Sequence, residues 1–303
     1  MRITMLTLED FHPLTLEDKP LFDIHYKTFP PIHSDNLFTT MISWMDYAQY
    51  HYAMVDDTLC IMTKIGNIIR FRPPIGKRSK TIADQVLHLA KQQDSDYPLG
   101  IIDEPTKDWL SATYPNLVIS PHRDFFEYVY TAADLAELSG SAYAKIRNRL
   151  NKFTKQHIYT VEEIDKDDIE EVRKFLHRWC LWKDCSSDPF LEQEKKAILT
   201  SMDLFFELDL RGLAIRINGA IESIAIYEQM NSNTAVVHYE KGSPDYDGIY
   251  KAINAETAKI LQEEVTFVNR ESDMGIPGLR KAKLSYRPHH MVEVFHIAKA
   301  NLL

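Results

Sequence analysis

The sequence predicts an α+β protein of two successive units, each a mixed, mostly antiparallel sheet flanked by helices. Three observations predict it. The chain has 303 residues, enough for two domains that each bury a core, at about 100 to 200 residues per domain. Hydrophobic residues make up 45% and charged residues 26%, which is globular composition with no sign of disorder. Finally, apolar periods and turn signals spell the same order of elements twice.

In the first unit, residues 1–135, a strand near Ile3 to Leu8 precedes helical stretches around Asp18 to Lys27 and Asn36 to Tyr47. Three β-rich runs follow, Gln49 to Val55, Thr58 to Thr63 and Asn67 to Arg72, with turns at Asp56-Asp57 and Ile65-Gly66. A helix from Thr81 to Gln92 carries Ile82, Val86, Leu87 and Leu89. A strand Leu99 to Ile102, a helix near Thr106 to Ala112 and strands around Leu117 to Ser120 and Phe125 to Tyr130 close the unit.

The second unit, residues 136–303, opens on a basic linker helix at about 141–155. Tyr143, Ile146, Leu150 and Phe153 recur there at three- and four-residue spacing on one face, with Lys145, Arg149 and Lys152 on another. Strand His157 to Glu163 leads into helices Asp167 to Trp182 and Phe190 to Thr200. Leu213 to Ile217 and Ala220 to Glu228 form a hairpin at Asn218-Gly219, the strongest turn signal in the chain. Strand Thr234 to Glu240, a polar loop Gly242 to Gly248, and a helix with Ile249, Ala252, Ile253, Ile260 and Leu261 come next. Strand Val265 to Val268, a short helix around Pro277 to Leu284 and a terminal strand Met291 to Ile297 finish it. Strand, two helices, three antiparallel strands, helix, strand, helix, final strands is the order of the GNAT acyltransferase fold, so the sequence predicts a tandem of two GNAT-like domains.

Charge narrows the function. There are 35 basic and 44 acidic residues, a net charge of -9, which argues against indiscriminate binding to nucleic acid or membranes. The average conceals three basic stretches without an acid: Arg70 to Ala83, Leu138 to Val161 and Met274 to Val292. No apolar run approaches the roughly 18 residues of a membrane span, and the N-terminus lacks the pattern of a signal peptide. Cys60, Cys180 and Cys185 are an odd, sparse set of the kind a reducing compartment tolerates. The expectation is a cytoplasmic protein. No two of the ten glycines stand in G-x-G spacing, which removes dinucleotide-binding and P-loop fingerprints.

Three groups of residues carry a more specific likeness. They are Tyr143-x-Lys145-x-Arg147-Asn148-x-x-Asn151-x-Phe153, then His238-Tyr239-Glu240-Lys241 with Gly248-Ile249-Tyr250 and Asn254, and then the block from Asn269-Arg270-Glu271-x-Asp273 through Gly275, Gly278-Leu279-Arg280, Ala282-Lys283 and Ser285-Tyr286 to Pro288. In the first half, Trp44 and Phe71-Arg72-Pro73-Pro74-Ile75-Gly76 fit the same pattern. The chain resembles a bacterial family of soluble proteins grouped with the C-terminal domain of phosphatidylglycerol lysyltransferase. The resemblance implies a tandem GNAT-like fold and kinship with enzymes that move an aminoacyl group from tRNA to a lipid or a peptidoglycan peptide.

Such a transfer needs two substrates held together, a stabilised oxyanion and one managed proton. His238 and Glu240 lie two apart on a strand and so share a face; either is placed to take a proton from an attacking amine or hydroxyl. The plainer alternative is a satisfied histidine beside a Glu240 paired with Arg270 or Lys241. Tyr286 falls near where many GNAT enzymes hold a tyrosine as general acid; a core-edge tyrosine is the alternative. Asn269, Arg270, Glu271, Asp273, Arg280, Lys283 and Lys241 are the expected substrate-binding set, with Arg270 and Arg280 suited to carboxylate or phosphate; an internal Arg–Asp network is the alternative. Lys145, Arg147, Asn148, Arg149 and Lys152 are the expected contacts to tRNA or another polyanion; a solvated helix face is the alternative.

The loop Gly242-Ser243-Pro244-Asp245-Tyr246-Asp247-Gly248 lacks the Q/R-x-x-G-x-G/A turn that holds a CoA pyrophosphate and adds two carboxylates. CoA is therefore a less favoured donor than aminoacyl-tRNA, and no cofactor is expected. Cys180 and Cys185 are one pair without a second, and no H-E-x-x-H exists, so no metal is expected either. The acceptor is a small molecule, a peptide or a lipid headgroup. An acyl-CoA N-acyltransferase and a non-catalytic module for an anionic metabolite remain the alternatives.

Overall fold

In a computed structural model that describes residues 5–302, the chain divides into two compact units. One is Met1–Phe126 together with Val292–Leu303; the other is Glu127–Met291.

The first unit runs β1 (His12–Pro13), α1 (Lys19–Thr28), α2 (Phe38–Ser43), α3 (Met45–Ala48), β2 (Tyr50–Val55), β3 (Thr58–Ile65), β4 (Ile68–Phe71), α4 (Lys80–Lys91), β5 (Leu99–Asp103), α5 (Glu104–Thr113) and β6 (Ser120–Pro121). Asp56 and Asp57 both take positive φ, 46° and 58°, the conformation that lets a two-residue turn follow the twist of β2 and β3. Ser79 caps α4 by accepting from the Ile82 amide. Ile82, Val86 and Leu89 then fall on the face of α4 that packs into a core with Phe71, Leu99 and Ile102.

Three expectations fail here. Ile3 and Thr4 of the anticipated first strand lie outside the described residues, and Met5 to Leu8 form no strand; Leu8–Asp10 is a 3-10 turn. The second helix breaks at Trp44 into α2 and α3. The strand at Leu117 to Ser120 shrinks to β6.

The second unit runs β7 (Glu127–Thr131), α6 (Ala132–Glu137), α7 (Ala144–Gln156), β8 (Tyr159–Glu163), α8 (Ile169–Lys183), α9 (Pro189–Asp203), β9 (Arg211–Ile217), β10 (Ala220–Asn231), β11 (Thr234–Gly242), α10 (Ile249–Leu261), β12 (Phe267–Ser272), α11 (Pro277–Ser285) and β13 (His290–Val292). Its seven-stranded sheet has the order β13-β7-β12-β11-β10-β9-β8. Asn218 and Gly219 turn β9 into β10 with φ of 54° and 82°, as the Asn-Gly signal requires. β11 and β12 are parallel and pair through Thr234 with Phe267, Ala235 with Val268, and Val236 with Asn269. Pairing stops there, although both strands continue, and the gap between their C-terminal ends is where a ligand fits. Gly248 opens α10 at φ 102°, and a Cβ on it would lie 2.9 Å from the Arg149 carbonyl of α7. Glycine is thus what lets the basic helix lie against α10.

The last strand, β14 (Val294–Ile297), pairs with β5 and β6 and gives the first sheet the order β1-β2-β3-β4-β5-β14-β6. β7 in turn pairs with β12 through Thr131 with Phe267, Tyr130 with Val268, and Val129 with Asn269. The boundary expected after residue 135 therefore lies before Glu127, and the tail from Val292 belongs to the first unit. An apolar strand's pattern sets which faces it buries, not which strand it joins.

Candidate active site

A cavity of about 690 Å³ lies in the second unit at the C-terminal ends of β11 and β12. β11 lends it His238, Glu240 and Lys241; β12 lends Arg270 and Glu271; α10 lends Lys251. Tyr286 follows α11 on the same wall. The two-residue alternation does place His238 and Glu240 on one wall.

Glu240 is held on both oxygens. Oε1 accepts from Asn254 Nδ2 at 3.1 Å, and Oε2 accepts from Arg270 Nη2. The Arg270 guanidinium lies 4.9 Å from the centre of the Tyr286 ring and 5.8 Å from that of Tyr130, an arrangement in which ring faces stabilise a cation. Its Nη1 is buried and has no hydrogen-bond partner among the described residues. The Lys251 ammonium lies 4.8 Å from the centre of the Tyr286 ring. No carboxylate pairs with Lys251 among the described residues. Burial, and then the Arg270 charge, push its ammonium down to about 8 against the opposing pull of Glu240. Burial also keeps the Tyr286 phenol protonated well above its ordinary range.

His238 is not free to accept a proton. Nδ1 lies 2.9 Å from Glu271 Oε1, and Nε2 lies 2.9 Å from Glu228 Oε1. Burial disfavours the charged ring, but the hydrogen bonds to Glu228 and Glu271 outweigh it and raise the imidazolium to about 10. The ring holds its proton at neutral pH, which corrects its expected role as a base. Glu271 itself sits at φ 57°, strained backbone for a residue with a long side chain. That kink is pinned from inside: Lys283 Nζ donates to the carbonyls of Arg270, Glu271 and Ser272, and the Glu271 amide donates to Asn269 Oδ1.

The other expected binding residues separate. Asn269, Asp273 and Arg280 are not on the cavity wall. Asn269 is buried and donates to Glu127 Oε2 at 2.7 Å. Arg280 grips the fully buried Asp273 with two bonds of 2.8 and 2.7 Å, and Tyr128 also donates to Asp273. This is the internal Arg–Asp network. Lys241 lies in the cavity, paired with Glu194 at 2.7 Å and 4.4 Å above the Trp179 ring. On α7, Arg147 is spent on the Leu138 and Gly140 carbonyls, and Lys152 on Asp247 at 3.1 Å. Lys145, Asn148 and Arg149 stay exposed, and Arg149 reaches the cavity rim.

Lys251, Trp179 and Trp182 line the cavity without having been anticipated. The sequence offered little to single out Lys251: it stands in the first turn of a helix that also holds Asn254, Glu256 and Lys259. Cys180 and Cys185 are also not as expected: α8 ends at Lys183, Asp184 turns back at φ 52°, and the two sulfurs join in a disulfide. This removes the cysteine argument for a reducing compartment. Cys60 is buried, and burial pushes its thiol up to about 12. Among the described residues no helix is long and apolar enough to cross a membrane, and no group of three or more His, Cys, Asp or Glu could hold a metal ion.

The family described as "Phosphatidylglycerol lysyltransferase, C-terminal" matches residues 26–298. A conserved protein of unknown function from Bacteroides thetaiotaomicron superposes with a TM-score of 0.88 at 27% identity, over 95% of this chain and 98% of that one. L-PGS from Bacillus licheniformis superposes at 0.63 with 13% identity, over 93% and 92%. An uncharacterised protein of Mycoplasmoides gallisepticum is 25% identical over 189 residues, 61% of this chain; the match spans 59% of that relative's length. The architecture is the tandem GNAT fold. A tandem GNAT protein of the clavulanic acid pathway (TM-score 0.50, 8% identity, over 95% of this chain and 98% of that one) and FemX (0.55, 10%, over 96% and 98%) share it.

Proposed function

The chain belongs to the phosphatidylglycerol lysyltransferase C-terminal family, and from that premise we propose that its second unit transfers an aminoacyl group from aminoacyl-tRNA to an amine or hydroxyl acceptor. One observation carries the reading. One cavity is lined by a carboxylate, Glu240, by an unpaired ammonium of lowered pKa, Lys251, and by a protonated phenol, Tyr286, whose ring centre is 4.8 Å from that ammonium. The acceptor nitrogen or oxygen attacks the ester carbonyl and gives its proton to Glu240. The Lys251 ammonium and the Tyr286 hydroxyl face the oxyanion, and the ribose oxygen leaves with a proton from Lys251. Arg270 fixes the carboxylate, and its buried position keeps the pair dry.

The loop from Gly242 to Gly248 supports tRNA over CoA. Pro244 lacks an amide hydrogen, and Asp245 and Asp247 repel a pyrophosphate. Arg149 and Lys145 give a polyanion its approach. A tRNA donor sets the reaction in the cytoplasm. The acceptor stays a class: a small molecule, a peptide amine or a lipid headgroup.

Purified chain, tRNA charged with labelled amino acid, and separate acceptor pools of peptide amines and phosphatidylglycerol vesicles test the reading. Label should move to one pool, with Glu240→Gln costing about 100-fold or more in kcat/KM. Turnover should fall as pH rises through about 8, where Lys251 gives up its proton, and Lys251→Met should remove that limb. Consumption of acyl-CoA instead would replace the donor. Turnover untouched in both variants would sink the site.

A further inference from the structure

A smaller cavity, about 160 Å³, occupies the corresponding place in the first unit. Both units run strand, loop, helix, parallel strand, helix: β4 to α5 and β11 to α11. In each, the second strand of the parallel pair kinks through a left-handed residue, Ile101 at φ 54° in β5 and Glu271 at φ 57° in β12. In each, the next helix opens with a proline, Pro105 or Pro277. The loop before α4, the end of β5 and the start of α5 wall the small cavity, as their counterparts wall the large one. Ile101 is β-branched, and such a residue in left-handed backbone is an outlier of the kind that persists beside ligand sites.

Its charges are what give the cavity a chemistry. Arg78 stands exposed at its edge, donating Nη2 to Thr106 Oγ1 at 2.9 Å with its guanidinium 5.4 Å from the centre of the Trp109 ring. No carboxylate pairs with it among the described residues. Asp103 uses Oδ1 to cap α5 at the Thr106 amide, 2.7 Å away, and among the described residues no cation pairs with it. One cavity thus carries an unpaired cation and an unpaired anion that do not reach each other. Phe29, Pro30, Pro31 and Pro74 supply an apolar stretch of the wall, and Asn36 a polar one. Pro73 and Pro74 have no amide hydrogens, so the loop cannot cradle a pyrophosphate, and the volume falls below the roughly 300 Å³ at which pockets for larger ligands begin.

The geometry points to a site for a small zwitterion, a free α-amino acid, whose carboxylate meets Arg78, whose ammonium meets Asp103 and whose side chain lies on the prolines. It does not depend on the chemistry proposed for the second unit.

Titration calorimetry on the full chain tests it with a panel of α-amino acids, the matching carboxylic acids without the amine, and the matching amines without the carboxylate. At least one amino acid should bind, and both kinds of half-molecule should bind roughly 10-fold more weakly or worse. Arg78→Gln and Asp103→Asn should each cost a similar factor. Asparagine still caps α5, so Asp103→Asn stays folded and keeps the test valid if Arg78→Gln does not. Lys251→Met should leave this binding intact. Absence of binding by any amino acid, equal binding of the carboxylic acids, unchanged affinity in Asp103→Asn, or loss in Lys251→Met alone would each overturn the assignment, the last by moving the ligand to the second unit.

Discussion

The imidazole of His238 lies between Glu228 and Glu271, and that placement decides what a mutation there does. Its folded pKa, about 10, is above the ordinary 6.5. The stability it contributes is therefore full below pH 6.5 and is lost as pH rises through about 10. Replacing the ring with Phe removes the cation that Glu228 and Glu271 share in a largely buried place. His238→Phe should cost about 3 kcal/mol near pH 6, and urea unfolding at several pH values should show the difference shrinking toward pH 10. A constant difference would contradict the ion-pair account. The sequence showed that His238 and Glu240 share a face, because strand alternation is local. It gave no sign that Glu228, ten residues away on β10, closes on the other ring nitrogen, because that contact depends on how β10 registers against β11.

At the scale of elements, β12 owes its last turn to a side chain from α11. Lys283 collects three successive carbonyls, and these hold Glu271 in its left-handed kink. Lys283→Met would remove the ammonium that these three carbonyls share, at a cost of about 2 to 3 kcal/mol. Lys283→Arg should not rescue it, because a planar fork cannot converge on three oxygens as an ammonium does. Urea midpoints of the three proteins give the comparison, with full rescue by arginine the contrary result. Most elements were legible within a few residues, since hairpin turns such as Asn218-Gly219 and amphipathic faces such as that of α4 are written locally. α6 was not, being a six-residue helix with little room for a period to show. The Arg280 and Asp273 pairing was legible only as an alternative: opposite charges seven residues apart read equally well as a binding site or as a brace.

For the molecule as a whole, the tandem order was legible and the strand exchange was not. β7 completes the second sheet and β14 completes the first, and the sequence held no mark of either partner. Truncation after Met291 removes β14 from between β5 and β6. Amide exchange should then lose protection in residues 99–103 while β9 to β11 keep theirs; equal loss in both places would mean that the units do not hold separately. The exchange also sets an order in time. The first unit's residues are made first, yet its sheet has a vacant place until Val294–Ile297 emerge. At about 5 to 20 residues per second, the wait between β5 and β14 is on the order of ten to forty seconds. Throughout it, β5 and β6 present open edges to any neighbouring chain. The half of the protein that is synthesised first is thus the half that matures last, and the interval is its period of greatest exposure to mispairing.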